Sequence, residues 1–249
     1  MRIVPFPALL LVAACASSGG DTPAPVPRPR ALLERAIHLA GGEGPLTAAR
    51  ALAWSGDAVI HAGGRTINIA GDWAIQPPDS AIVATYDVAR GPASTRALVV
   101  AAPRGWIWSA AAGHQPMPPA MLASERDEFY LYDVIRLVPL RAPGVTLTPV
   151  AADSLAQPGF RAEQPGRPPV ELFFDPAGRL SHLRVAVRDA GGGAPKRQDV
   201  WLSGTMEASG IRWFREMKLT MDGEPYFDLT LRALRVMPRV DDPRLAGPP

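Results

Sequence analysis

Two hydrophobic periods divide the chain. Across residues 31–40 the apolar positions Leu32, Leu33, Ala36, Ile37 and Ala40 recur at helical spacing, and Gly41-Gly42 supplies a stop. A second short helix is expected over residues 46–52. From Trp54 onward the period becomes two. Residues 54–62 and 65–76 read as strands joined by Ala62-Gly63-Gly64, a hairpin signal. In the second strand Ile67, Ile69, Gly71, Trp73 and Ile75 share one face, while Asn68, Ala70, Asp72, Ala74 and Gln76 share the other. Further strands fall at 80–88, 95–102 and 105–110, separated by Gly91-Pro92 and Pro103-Arg104-Gly105. This predicts an antiparallel meander with one apolar face.

Gly113-His114-Gln115-Pro116 breaks the alternation, and Pro118-Pro119 opens a helical stretch over 120–138. It is read as one or two helices set into the middle of the sheet, with a polar island from Ser124 to Glu128. Phe129, Leu131, Val134, Ile135, Leu137 and Val138 wrap more than one face, so the segment should be buried against the sheet or its contents. Strands resume at 145–151, 158–164 and 169–174. Asp175-Pro176-Ala177-Gly178 then turns into 179–188, and Gly191-Gly192-Gly193 leads to 197–206. In the last pair Ile211, Trp213, Met217, Leu219 and Met221 alternate with Arg212, Phe214, Glu216, Lys218 and Thr220 as one strand. After Asp222-Gly223-Glu224-Pro225, Phe227, Leu229, Leu231 and Ala233 continue on the return strand.

The fold class expected is mainly β: one curved antiparallel sheet of about ten or eleven strands, with an N-terminal helix and a mid-chain helical lid. The domain spans 31–236, and a Pro- and charge-rich tail over 237–249 is expected to be loose.

The start of the chain has a different character. Arg2 precedes a short apolar run over residues 3–12 that ends in Ala13-Ala14-Cys15. Such a run suits a secretory h-region and is too short for a permanent membrane helix. Val12-Ala13-Ala14-Cys15 resembles the bacterial lipoprotein signal residue by residue. That resemblance implies cleavage of residues 1–14 and lipidation of Cys15, whose three chains would anchor the protein at about 0.8 kcal/mol per buried methylene. The other reading of Cys15 is an ordinary buried thiol. Residues 15–30, with alternating prolines, form a semi-stiff tether. Ala16 stands where an aspartate resembles an inner-membrane retention mark, which points to the outer membrane, facing the periplasm.

Composition excludes several classes. Of 249 residues 26 are basic and 24 acidic, a net charge of +2 that leaves no electrostatic footprint for nucleic acid. Cys15 is the sole cysteine, so neither a disulfide nor a thiolate metal site is expected. His38, His61, His114 and His182 are scattered, and no nucleophile elbow or phosphate-binding glycine loop is present. Glu34 and His38 lie four apart, which reads as a surface pair. No enzyme, metal or cofactor is expected. An enzyme would need a polar cleft near His114 or the 189–196 loop.

The order of elements resembles the LolA/LolB-like lipoprotein-carrier superfamily. The resemblance rests on the helix ALLERAIHLAGG before the first strand, Gly105-Trp106-Ile107-Trp108 before the lid, and VELFFDPAGRL from Val170 to Leu180. It implies an incomplete β-barrel whose concave face and helical lid enclose a cavity for acyl chains. The positions that would line it are Ile67, Ile69 and Trp73 on the first hairpin, with Trp106 and Trp108 ahead of the lid. Phe129 and Ile135 would contribute from the lid, and Trp213, Met217, Leu219 and Met221 from the penultimate strand. Phe227, Leu229 and Leu231 would complete it. No arginine can be matched to the one that closes the soluble carrier's lid. The expected role is a monomeric, membrane-anchored protein binding a lipid, acyl chain or lipoprotein for transport or sorting. The alternative is an assembly lipoprotein acting by protein contact, in which the same residues form a filled core.

Overall fold

The computed structural model describes residues 28–247; the signal-like segment, Cys15 and most of the proline-rich stretch lie outside them. Helix α1 (Pro29–Leu39) begins on a proline, where the missing N–H is no loss, and buries Leu32, Leu33, Ala36 and Ile37. It stops at Gly41, whose φ of +118° suits glycine and whose Cα lies so close to Gly210 O that a Cβ would meet it at 2.1 Å. Helix α2 (Glu43–Ala48) buries Leu46 and delivers the chain to the sheet.

The sheet is built from strands β1 (Ala51–Ala62), β2 (Arg65–Gln76), β3 (Ser80–Asp87), β4 (Arg96–Ala101), β5 (Arg104–Ser109) and β6 (Gly113–Pro116). Helix α3 (Pro119–Ile135) and a 3-10 turn (Val138–Arg141) follow. Strands β7 (Thr146–Val150), β8 (Gly159–Glu163), β9 (Val170–Phe174), β10 (Leu180–Val187) and β11 (Lys196–Ser203) come next. The chain ends with β12 (Met206–Ala208), β13 (Ile211–Trp213), β14 (Glu216–Met221) and β15 (Glu224–Met237). Thirteen strands form one open antiparallel sheet in the order β6-β5-β4-β3-β2-β1-β15-β14-β11-β10-β9-β8-β7. The expected curved sheet with a mid-chain lid is therefore present, with more strands than the alternation revealed. One addition is β6, made from the Gly113–Pro116 segment that reads as a break.

The first strand pairs with the last at the centre, so the two halves of the sheet are joined by its longest-range contact. Its two free edges, β6 and β7, are consecutive in the chain, and α3 lies in the connection between them.

One cross-strand row runs through eight strands on the inner face: Phe160, Leu172, Leu183, Val200, Leu219, Phe227, Ile60 and Ile67. A neighbouring row joins Trp54, Trp73, Val83, Leu98 and Ile107. Backbones approach closely where Gly56 faces Gly71. A Cβ on Gly71 would sit 2.1 Å from Ala84 O, and β1 carries a bulge between Ser55 and Gly56.

Two sequence expectations change here. The run from Ile211 to Met221 is not one strand. Ile211–Trp213 pairs with Met206–Ala208 in a separate two-stranded ribbon, and the main sheet resumes at Glu216. Arg215 makes the step between them, donating its N–H to Ser203 O while its own carbonyl accepts from Leu231. The tail is also placed rather than loose up to Gly247. Val240 N donates to the Gln76 side chain, and Val240 and Leu245 pack on the outer face over Ile82, Val99 and Trp106.

Candidate functional site: an apolar cavity beneath helix α3

Helix α3 covers the concave face. Met121, Glu125, Glu128, Phe129 and Tyr132 recur at helical spacing on the side facing the sheet, and Leu131 also reaches the space beneath, while Asp127, Tyr130 and Val134 are buried on other sides. Tyr132 packs its ring 5.1 Å from Trp54, which in turn stacks on Trp73. At its start the helix rests on Gly105. A Cβ there would meet Leu122 Cδ1 at 2.8 Å and Met117 Sδ at 2.9 Å. At its end Arg136, Leu137 and Val138 form a tight γ-turn, with Leu137 at φ +64° and Val138 N donating to Arg136 O at 2.7 Å. Arg188, just past β10, grips the buried Asp127 carboxylate.

Between helix and sheet lies a cavity of about 500 Å³. Its walls are mostly apolar: Ile69, Trp73, Val83 and Leu98 on one side, Val200, Met217, Leu219 and Phe227 on the other, with Phe129 above. Size and lining suit a small apolar ligand.

The cavity also has a polar end. Gln198, fully buried on β11, donates Nε2 to Glu128 Oε1 at 3.1 Å, while its own Oε1 has no hydrogen-bond partner. Burial pushes the Glu125 carboxyl up to about 8, and the neighbouring Glu128 charge adds to the shift. Glu128 is raised for the same reason, with Gln198 opposing and Asp127 reinforcing. Burial likewise raises the Tyr132 and Tyr226 hydroxyls.

Of the residues expected to line a cavity, Ile69, Trp73, Phe129, Met217, Leu219 and Phe227 do so. Ile135 and Trp213 line a second hollow of about 420 Å³ near the end of α1. Leu229 and Leu231 are buried in the main core, Met221 is half-buried at a strand end, and Ile67 is 40 % exposed. Trp106 and Trp108 occupy the opposite face of β5. Ile107 is the inward residue of that strand, and Trp106 lies under the C-terminal tail. Alternation separates two faces but does not say which one is concave. Glu125, Glu128, Gln198 and Tyr226 were not visible as a set, although Gln198 shares the inward parity of Val200 and Leu202.

Elsewhere, Glu34 pairs with Arg141 rather than acting with His38. Among the described residues no three His, Cys, Asp or Glu side chains converge as a metal site. No helix among them is long and apolar enough to cross a membrane.

No family model and no curated protein matches the sequence. Solved structures do match. A putative outer membrane lipoprotein-sorting protein domain from Vibrio parahaemolyticus superposes with a TM-score of 0.53 at 12 % identity, over 86 % of this chain and 95 % of that one. A DUF1329 family protein from Desulfovibrio piger gives 0.54 at 10 %, over 87 % and 96 %. A LolA superfamily protein from Nitrosomonas europaea gives 0.52 at 9 %, over 84 % and 93 %. At such identities the likeness concerns architecture alone: the chain shares its fold with these three structures, one of them a LolA superfamily protein.

Proposed function

We propose that this protein binds a lipid, an acyl chain or the acylated end of a lipoprotein in the cavity under α3, and carries or sorts it within the bacterial cell envelope. The observation that carries the reading is the unfilled space itself. An inner sheet face lined by Trp73, Met217, Leu219 and Phe227 leaves about 500 Å³ open beneath a helical cover, where a purely structural core would be packed solid. The names of the structural neighbours support the same direction. Lipidation at Cys15 would hold the domain at a membrane through the proline-rich tether, and the role is binding rather than catalysis.

Native mass spectrometry of the purified protein, followed by organic extraction, tests this. The expected result is a co-purifying acyl species that disappears when Leu219→Trp fills the cavity. A protein that carries no apolar species and takes up none from added lipid would overturn the reading in favour of an assembly role through surface contact.

A further inference from the structure

At the polar end of the cavity two carboxyl groups and an amide oxygen stand beside the Tyr132 and Tyr226 side chains. Gln198 places one amide hydrogen on Glu128, while Gln198 Oε1, the second Glu128 oxygen and both Glu125 oxygens have no side-chain partner among the described residues. Protons held by the raised carboxyls can satisfy only some of these contacts. A buried carbonyl oxygen such as that of Gln198 costs stability when it stays unpaired, so its orientation into this space calls for a donor. An ammonium group carries three donors and no acceptor.

We propose that Glu125, Glu128 and Gln198 receive a primary ammonium at the head of an alkyl or acyl chain, with the chain lying against Trp73, Leu219 and Phe227. This rests on the reading of the cavity as a lipid site and names the head group it selects. The remaining titratable or charged groups around the pair are Asp127 and Tyr132 on α3, Tyr226 on β15 and Arg96 on β4. Among the described residues Arg96 is the one cation lining the cavity, and it is exposed, so water screens it more than it screens the two glutamates. Ammonium binding requires ionised carboxylates. Protons held by the raised carboxyls are released as the head group enters, and affinity rises with pH until the pair is ionised. An alkylammonium with a lysine-like pKa of about 10.4 keeps its charge throughout.

The full-length protein is titrated by calorimetry with dodecylammonium chloride, dodecanol and sodium dodecanoate, each below its micellar concentration. Dodecylammonium is expected to bind at least tenfold more tightly than dodecanol at pH 8.5, and less tightly at pH 6.5. Combining Glu125→Gln with Glu128→Gln should bring the ratio near one. Gln198→Leu, which leaves both carboxyls in place, should lower it two- to fivefold. Thermal melts by circular dichroism establish that each variant is folded. Equal binding of the three probes, or a preference that survives the double variant, overturns the ammonium site and leaves the lipid reading standing. Tighter dodecanoate binding also overturns it and assigns the head group to Arg96. Failure of all three probes to bind overturns the lipid reading and the proposal together.

Discussion

Arg188 holds Asp127 through both carboxylate oxygens: Nε donates to Oδ2 at 2.7 Å and Nη2 to Oδ1 at 2.5 Å, and the Arg188 backbone N–H adds a third bond at 3.2 Å. Asp127 is 2 % exposed on α3, whereas the arginine side chain is about half exposed. The pair ties the covering helix to the end of β10, beside the Gln198–Glu128 bond to β11.

Arg188→Ala should therefore loosen that helix. It leaves a buried carboxylate with a single amide donor, at a cost of about 1–3 kcal/mol. Asp127→Asn, which removes the charge while keeping an acceptor, should cost less. Urea unfolding measures the difference, and hydrogen exchange across 119–135 should rise in Arg188→Ala more than elsewhere.

The glutamates under the helix give stability an unusual slope with pH. A carboxyl raised by burial holds its proton more tightly folded than unfolded. Between the ordinary value of 4.5 and about 8 the unfolded chain has released a proton that the folded chain keeps. Stability should fall as pH rises through this window, by at most about 1.4 kcal/mol per unit for each such group, and level off above it. Thermal midpoints at pH 5, 6, 7 and 8 check this, and Glu125→Gln should flatten the descent.

On the outer face His182 is fully buried between two carboxylates, Nδ1 at 3.0 Å from Asp153 Oδ2 and Nε2 at 3.0 Å from Asp199 Oδ1, with Trp201 stacked on its ring at 3.7 Å. Burial would raise both aspartates. For Asp153 the amides of Gln157 and Leu155 together with His182 overcome it, and for Asp199 Arg184, Arg197 and His182 do. His182→Phe preserves the stack but removes a partner from each, so it should cost about 2–4 kcal/mol. The 151–158 loop, which Asp153 anchors, should become the first site of limited proteolysis.

Two glycines should respond in opposite directions to the same change. Gly71→Ala drives a methyl into the β3 backbone at Ala84 and should cost about 1–3 kcal/mol or more. Gly44, inside α2 with open space around it, should gain up to about 1 kcal/mol on substitution by alanine. Denaturation midpoints of the two variants make the comparison.

Much of this architecture is legible along the chain, and the failures have physical causes. The β1–β2 hairpin follows from strict alternation and a Gly-Gly turn. The pairing of Ala51 with Met237, which joins the two halves of the sheet, is the longest-range contact of the sheet, and no local pattern records it. Trp106 and Trp108 mislead because a large aromatic suits either face of a strand, and the tail that buries Trp106 comes from the far end of the sequence. Trp213 leaves the expected strand because Ile211–Trp213 pairs with Met206–Ala208, and the chain bonds to the main sheet again only from Arg215 onward. Glu125 and Glu128 fall in a stretch that reads as solvated, since two acids beside Arg126 and Asp127 carry no mark of facing an enclosed space.

The connection between β6 and β7 works as a strap buckled to both rims of an open shell. Met117 N bonds to Gly105 O on one rim, and the tight turn at Leu137 leads to the other, so α3 has no free end to swing. A guest bound as proposed would enter past the flank of the strap, or as the rims spread and draw it taut. Its length then limits how far the shell can part.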